Sequence, residues 1–247
     1  MSDGLERAAA VLAASRRPVA FTGAGMSKES GIRTFRGEDG YWRQYRAEDL
    51  ASLEAIRRDP RTVWTWYSQR LLHNESVQPH AGYLALVEAG EHVDGLPVIT
   101  QNVDGLHARA GSREVVELHG SLRSASCTRE VSRSFPLNGE LLREIPPRCP
   151  CGAVLRPDVV LFGEPLPAAP MERALELAAC CDLMLVVGTS MVVYPAAMVP
   201  YRALEEGAEV LEVNTEPTAL TGEPGVMSLR GPAGGVLPEL VDMAWRS

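Results

Sequence analysis

Three short stretches carry groups that can act together on a small polar ligand. FTGAGMSKESGIRTFRG, residues 21–37, ends an apolar run in Gly23-Ala24-Gly25. Glycines at a strand end let backbone N–H groups approach a phosphate, and a following helix N-terminus favours its charge. The spacing Gly23, Gly25, Gly31 departs from the usual dinucleotide fingerprint and equally suits a tight strand–helix turn. ITQNVDGLHARAG, residues 99–111, sets Gln101, Asn102 and Asp104 in close order at a second strand end. Such amide and carboxylate groups can hold ribose hydroxyls and a carboxamide. ELHG ends a third run on His119. A lone histidine there is more often a satisfied structural residue; beside a nucleotide it becomes a general-base candidate, because its pKa lies near working pH.

Two further stretches have chemistry of their own. VWTWYSQRLL, residues 63–72, reads as an amphipathic helix with Val63, Trp66, Tyr67 and Leu71 close to one face. Arg70 follows Tyr67 by three residues, so phenol and guanidinium are neighbours on the helix. Taken alone this is a packing arrangement, the arginine stem lying on a tryptophan while its head reaches water. The five cysteines are Cys127, Cys149, Cys151, Cys180 and Cys181. Cys180 and Cys181 close a helical stretch and read as ordinary buried thiols.

The elements that must position these groups alternate. Residues 18–25, 96–100, 113–120, 182–190 and 208–214 are near-continuous apolar runs, which suits parallel strands covered on both faces. Helical stretches at 5–15, 80–89, 170–179 and 195–206 fall between them, giving a doubly wound α/β pattern. Ligands of such folds bind beyond the carboxyl ends of the strands, where TGAG, TQN, LHG, GTS and VNTE all lie. Residues 37–77 and 121–155 break the alternation and read as excursions from the sheet. A turn and a closing helix end the chain.

Composition narrows the role. The chain has 247 residues, 45% of them apolar, enough for one large domain with an insertion. Its net charge of −8 and pI near 5.2 disfavour nucleic acid and anionic membranes as partners. The opening MSDGLERAAAVLAASRRP is acidic early and reads as an amphipathic first helix, not a signal peptide. No apolar run approaches the roughly 20 residues of a membrane span. A soluble, cytoplasmic protein with reduced thiols is expected, and a monomer, since no interface signature stands out.

GAGMSKESGIRTFRG, TQNVDGLH, HG, LRPDVVLFGE, GTS and NTE occur in this order across nearly the whole chain. Together they resemble the sirtuin family of NAD-dependent protein deacylases. The resemblance implies a Rossmann-like, doubly wound parallel sheet over 1–36, 78–120 and 156–247. It implies a small domain over 37–77 and 121–155, made of a helical module and a zinc ribbon. NAD is the implied cofactor. Gly23, Ala24 and Gly25 would hold its pyrophosphate, and Thr34, Phe35 and Arg36 would form the cofactor loop whose Phe shields the ribose. Gln101 and Asn102 would lie at the nicotinamide ribose, and Asp104 at the nicotinamide amide. Gly188, Thr189, Ser190, Asn214 and Glu216 would lie on the adenosine side, with Ala233 also among the cofactor contacts. Val160, Phe162 and Gly163 match the strand that pairs with an extended acyl-lysine peptide, a mode that reads little side-chain sequence. The implied reaction has the acyl oxygen attack the ribose as nicotinamide leaves. His119 then acts as base on a ribose hydroxyl, yielding free lysine and O-acyl-ADP-ribose.

Some members of the family carry Tyr-x-x-Arg at the acyl pocket. Tyr67 and Arg70, following GYWR at 40–43, match it, and Ala51 matches a small residue that widens the pocket. The chain therefore resembles class III, the desuccinylase-like sirtuins. Arginine binds a carboxylate bidentately and tyrosine donates one more hydrogen bond, so succinyl or malonyl groups are expected to be favoured over acetyl. The competing expectations are a general deacetylase, an ADP-ribosyltransferase or NAD hydrolase, and a non-catalytic NAD or ADP-ribose sensor. The zinc ribbon departs from the family pattern. Cys127 is present, but Glu130 stands where a second cysteine is expected, and Cys149-Pro-Cys151 is compressed by a residue. Structural zinc wants four tetrahedral ligands. Either the three thiols and Glu130 supply them, or the ribbon is metal-free and holds by packing or a salt bridge.

Overall fold

Strand residues that are apolar at every position must be covered on both sides, and the computed structural model shows how. It describes residues 2–35, 40, 43, 46–130 and 132–245. Numbered along the chain, β1 (Pro18–Thr22), β2 (Val98–Thr100), β3 (Val115–Glu117), β7 (Leu183–Val187), β8 (Glu209–Asn214) and β9 (Val226–Arg230) form one sheet. All its pairings are parallel and its order is β3-β2-β1-β7-β8-β9. Ala20 of β1 and Leu183, Leu185 and Val187 of β7 face one core, covered by α1 (Ser2–Ala14), α5 (Ala81–His92) and α9 (Ala233–Trp245). Val19, Phe21, Met184 and Val186 face a second core under α7 (Ala168–Cys180) and α8 (Met198–Glu205). The period-two alternation of a strand thus serves two cores at once. The winding reverses between β1 and β7, the switch point beyond whose carboxyl ends folds of this kind bind their ligands.

A second, antiparallel sheet orders β5 (Ser134–Pro136), β4 (Gly120–Cys127) and β6 (Leu155–Val159). It shares a third core with α3 (Leu53–Arg58) and α4 (Pro60–Ser76): Trp64, Tyr67 and Leu71 pack with Leu122, Ala125, Leu155 and Leu161. Asp59 caps α4, its carboxylate accepting the Thr62 N–H at 3.1 Å, with Pro60 at the first helical position. The helix is buried on more than the one face its apolar spacing marks. Trp64 is fully buried and its indole N–H donates to the Leu155 carbonyl at 2.7 Å, so α4 is clasped by the small sheet.

Four strands lie outside the expected set: β4, β5 and β6 of the small sheet, and β9. β9 is a half-exposed edge strand of mixed polarity, and β4, GSLRSASC, mixes small, polar and apolar residues. None of the four carries the apolar run that marks a central strand. The expected helix after Gly25 is a 3-10 run, Ala24–Ser30, ended by Gly31 at φ 92°.

Candidate active site

The glycine turn is shaped by a second turn. The Gly25 N–H donates to the Gly188 carbonyl at 2.7 Å, and the Gly23 N–H to the Val187 carbonyl at 3.0 Å. A Cβ on Gly25 would lie 2.8 Å from Gly188 Cα, and one on Gly188 (φ 61°) 2.2 Å from the Met26 nitrogen. Ala24 leads the 3-10 run beside them. The loops after β1 and β7 therefore meet backbone to backbone at the switch point, which is why only glycine fits. The donor set there, two glycine turns with strand-end amides beside them, fits a dinucleotide.

The strand-end polar groups form one connected network. The Asn102 side-chain amide donates to the Gly23 carbonyl at 2.9 Å and to Ser27 Oγ at 3.0 Å. Ser27 donates to Asp104 Oδ2 at 2.6 Å and lies 2.8 Å from the Tyr83 hydroxyl. Asp104 Oδ1 accepts the Leu106 N–H at 2.9 Å. Burial pushes the Asp104 carboxyl above its usual range, against the Ser27 bond. Below this layer Thr22 donates to Thr100 at 2.8 Å, Thr100 accepts the Asn102 N–H at 3.0 Å, and His107 Nε2 lies 2.9 Å from Thr22. Burial holds the His107 pKa down at about 3, so the ring is neutral. On the far side Gln101 donates to Thr189 Oγ1 at 2.9 Å, and Asn214 donates to the Thr189 carbonyl at 2.8 Å. Ser190 and Glu216 are exposed beside them, and Arg230 fixes the Glu216 carbonyl at 2.6 Å. Ala233 is buried at the start of α9, its carbonyl in line with Gly82. Ser27, Tyr83, Thr22 and His107 were not singled out from sequence. Thr22 and Ser27 lie in the glycine-turn stretch and His107 in the stretch after β2, while Tyr83 reads only as a core aromatic of α5.

His119 is oriented by the next residue in this network. Its Nδ1–H donates to the Gln101 carbonyl at 2.9 Å, which makes Nε2 the proton-accepting nitrogen. Burial lowers its pKa, so the imidazole is neutral at neutral pH. Gly120 follows at φ 72°, where a Cβ would stand 2.1 Å from the Asp158 carbonyl oxygen. The His119 carbonyl accepts the Val160 N–H at 2.9 Å. Residues 160–163 continue past it. The Phe162 N–H donates to the Ala51 carbonyl at 2.8 Å, the Phe162 side chain is exposed, and Gly163 turns the chain at φ 88°. Arg156 grips Glu164 with both nitrogens, at 2.5 and 2.8 Å, and Glu164 also accepts the Leu161 N–H.

Tyr67 and Arg70 are both buried, at 2% and 7% exposure. The guanidinium carbon lies 4.5 Å from the Trp66 ring centre, 4.8 Å from Phe35 and 6.0 Å from Tyr67. Burial pushes the Tyr67 hydroxyl up to about 12, against the pull of Arg70, so it remains a donor. Arg70 reaches Asp104 electrostatically, and Tyr67 reaches the Arg156–Glu164 pair. Thr34 and Phe35 lie half-buried beside this group; Arg36, with Tyr41 and Trp42 of GYWR, falls outside the described residues.

Cys127, Cys149 and Cys151 gather with their sulfurs within 4.8 Å of one another. A cation stands beside one of the three sulfurs. Arg133 lies 3.9 Å from Cys149 Sγ and draws the Glu130 carboxylate to 3.6 Å, while the Glu130 N–H points at Cys127 Sγ at 3.4 Å. Three sulfurs with a guanidinium beside one of them, and the Glu130 carboxylate paired to that guanidinium, do not close a structural zinc tetrahedron. Of the remaining pair Cys181 is buried, but Cys180 is exposed, because the end of α7 turns it away from the second core.

The fold and this crevice define a Rossmann-like, nucleotide-using enzyme. The Sir2 family model matches residues 23–195. The NAD-dependent protein deacylase of Pyrococcus furiosus is 50% identical over 237 residues, covering 94% of each chain. The NAD-dependent protein deacylase 2 of Pyrobaculum aerophilum is 52% identical over 94% of this chain and 92% of its own. Among solved structures, a Sir2 homologue mutant complexed with ADP-ribose superimposes with a TM-score of 0.90 at 45% identity, covering 97% and 96% of the two chains. A Sir2 homolog–NAD complex does so at 0.87 and 43%, covering 97% and 93%. The chain belongs to the Sir2 family.

Proposed function

We propose that this chain, an NAD-dependent protein-lysine deacylase of the Sir2 family, acts preferentially on lysines whose acyl group ends in a carboxylate. The observation that carries the preference is the buried Arg70 guanidinium beside the Tyr67 phenol, set between Asp104 and the 160–164 segment. A succinyl or malonyl carboxylate gives the guanidinium a bidentate partner, and Tyr67, held protonated, donates to it. An acetyl group offers no such anion. Ala51, small and buried, accepts the Phe162 N–H on the segment next to them.

NAD supplies a ribose carbon that turns electrophilic as nicotinamide departs. The protein's own work is placement and proton handling. The Gly23–Gly25 and Gly188–Ser190 turns receive the pyrophosphate and adenosine, with Asn214, Glu216 and Ala233 on the adenosine side. Asn102, tied to Gly23 and Ser27, presents its remaining carbonyl oxygen to the ribose or a water. Asp104 holds the nicotinamide amide, and Thr34 and Phe35 shield the ribose. His119 takes a ribose hydroxyl proton on Nε2, its ring fixed by the Gln101 carbonyl. Val160, Phe162 and Gly163 offer main chain to an extended peptide.

The test compares acetyl-lysine and succinyl-lysine forms of one peptide with NAD, for wild type and Arg70→Met. A charge-assisted pair is worth about 1.5–3 kcal/mol, so succinyl turnover should fall roughly 10- to 100-fold in the mutant while acetyl turnover persists. A general deacylase is the second reading. It is favoured by the three aromatic rings around Arg70, which account for the burial of the guanidinium by packing. A solved Sir2 protein bound to a myristoylated histone peptide (36% identity, TM-score 0.79) points the same way. Equal acetyl and succinyl turnover, unchanged in Arg70→Met, would decide for it.

A further inference from the structure

We propose that the three-cysteine cluster is an oxidation site in which Cys127 and Cys151 form a reversible disulfide under peroxide, taking the place of a metal as the clamp of the antiparallel sheet. The two sulfurs lie 3.6 Å apart. Disulfide formation closes that gap to about 2.05 Å, a movement available to side-chain rotation and a flexible turn. Cys151 sits on such a turn, followed by Gly152 at φ 83°, while Cys127 is anchored at the end of β4. Accessibility assigns the roles. Cys151 is exposed and Cys127 is buried, so the oxidant meets Cys151 first and Cys127 resolves the product.

The chemistry balances with one peroxide. The Cys151 sulfur attacks a peroxide oxygen; the O–O bond breaks, water leaves and a sulfenic acid forms. The Cys127 sulfur then attacks the sulfenic sulfur; the S–O bond breaks, the S–S bond forms and a second water leaves. Two thiols lose two electrons and the peroxide gains them.

The surroundings favour this use over a metal. Arg133 stands beside Cys149 and pairs with the Glu130 carboxylate, so the carboxylate that could have been a fourth ligand is paired with a cation. The strand that ends at Cys127 and the strand that follows the turn carrying Cys151 meet beside His119 at their other end. β4 begins at Gly120, next to His119, and β6 ends at Val159, where the two residues pair. A covalent tie from Cys127 to Cys151 closes a loop of 24 residues by sequence number, and a loop of that length adds measurable stability.

The test uses the reduced, purified full chain. Metal analysis should find substoichiometric zinc. Hydrogen peroxide should lower the thiol count under denaturing conditions from five to three, and non-reducing peptide mapping should join residue 127 to residue 151. The melting temperature should rise by several degrees and return on adding dithiothreitol. Cys127→Ser and Cys151→Ser should each lose the cross-link. If those variants do not fold, mapping of the wild type still decides. One zinc per chain with thiols shielded from peroxide, oxygen added to Cys151 without a cross-link, or a cross-link to Cys180 or Cys181 would each overturn the proposal.

Discussion

Replacing Gly120 by alanine should unfold the protein far more readily than the same change at Gly207. Both glycines hold left-handed backbone, with φ at 72° and 86°, so both variants carry the cost of an L side chain there, about 1–2 kcal/mol. Gly207 follows α8 and a Cβ on it meets nothing within 4 Å. Its variant should lose that conformational term alone. At Gly120 the new Cβ would stand 2.1 Å from the Asp158 carbonyl oxygen and 3.2 Å from Val159 Cα. Ordinary contact needs roughly 3.4 Å or more, so the backbone must part by over an ångström, and that oxygen belongs to the strand paired with β4. Overpacking of this kind adds about 1–3 kcal/mol. The Gly120→Ala loss should total roughly 2–5 kcal/mol, and at about 2–4 °C per kcal/mol for a chain of this size the melting temperature should drop by roughly 4–20 °C. For Gly207→Ala the drop should be a few degrees. Thermal unfolding of the two variants beside wild type measures the contrast. Equal, small losses would refute the reasoning, since the 2.1 Å approach would then have no energetic meaning.

Other outcomes follow from the same physics. His119→Ala should lower deacylation by about 10²–10⁴, the range of general-base catalysis, with the fold intact by circular dichroism. Because burial lowers the His119 pKa, its neutral, basic form survives below the ordinary histidine value. The acid limb of kcat/KM should therefore fall below pH 6.5, and a limb above it would contradict the burial argument. His107, neutral down to about pH 3 in the fold, is protonated in the unfolded chain below about 6.5. The unfolded state then binds the extra proton, so stability should decline as pH falls from 6.5 toward 3, and His107→Gln should flatten that slope in denaturant titrations. Glu212 is fully buried in β8 and accepts from Thr221 at 2.8 Å and Ser228 at 2.6 Å, with Thr218 also bonded and Arg230 at 3.6 Å. Glu212→Ala strips these groups of their acceptor and should cost about 3–5 kcal/mol in urea unfolding.

How much of this was legible in the sequence depends on which force fixes each part. The central strands could be read because full burial leaves an unbroken apolar run, as in LMLVV of β7. Gly23 and Gly25 could be read as a turn, but their main reason could not. They are pressed against Gly188 and Thr189, which lie in the turn after β7, and no local pattern records a tertiary approach. β4 and β9 escaped because small or mixed-polarity residues pair through backbone bonds without an apolar signature. The helix at 63–72 could be recognised as helix from its spacing. Its burial on several faces could not, because Trp64 is covered by Leu155, a residue from a distant strand. Glu130 was visible as a break in the cysteine set, whereas Arg133 beside Cys149 follows only from the fold of the loop.

The single hydrogen bond from the Val160 N–H to the His119 carbonyl makes two distant duties one mechanical part. The imidazole hangs from one side of that peptide and the 160–163 segment from the other, with Gly120 as the fulcrum. His119 is thus pinned twice, its ring by the Gln101 carbonyl and its main chain by the Val160 N–H, so any displacement of the 160–163 segment pulls on the backbone that carries the imidazole.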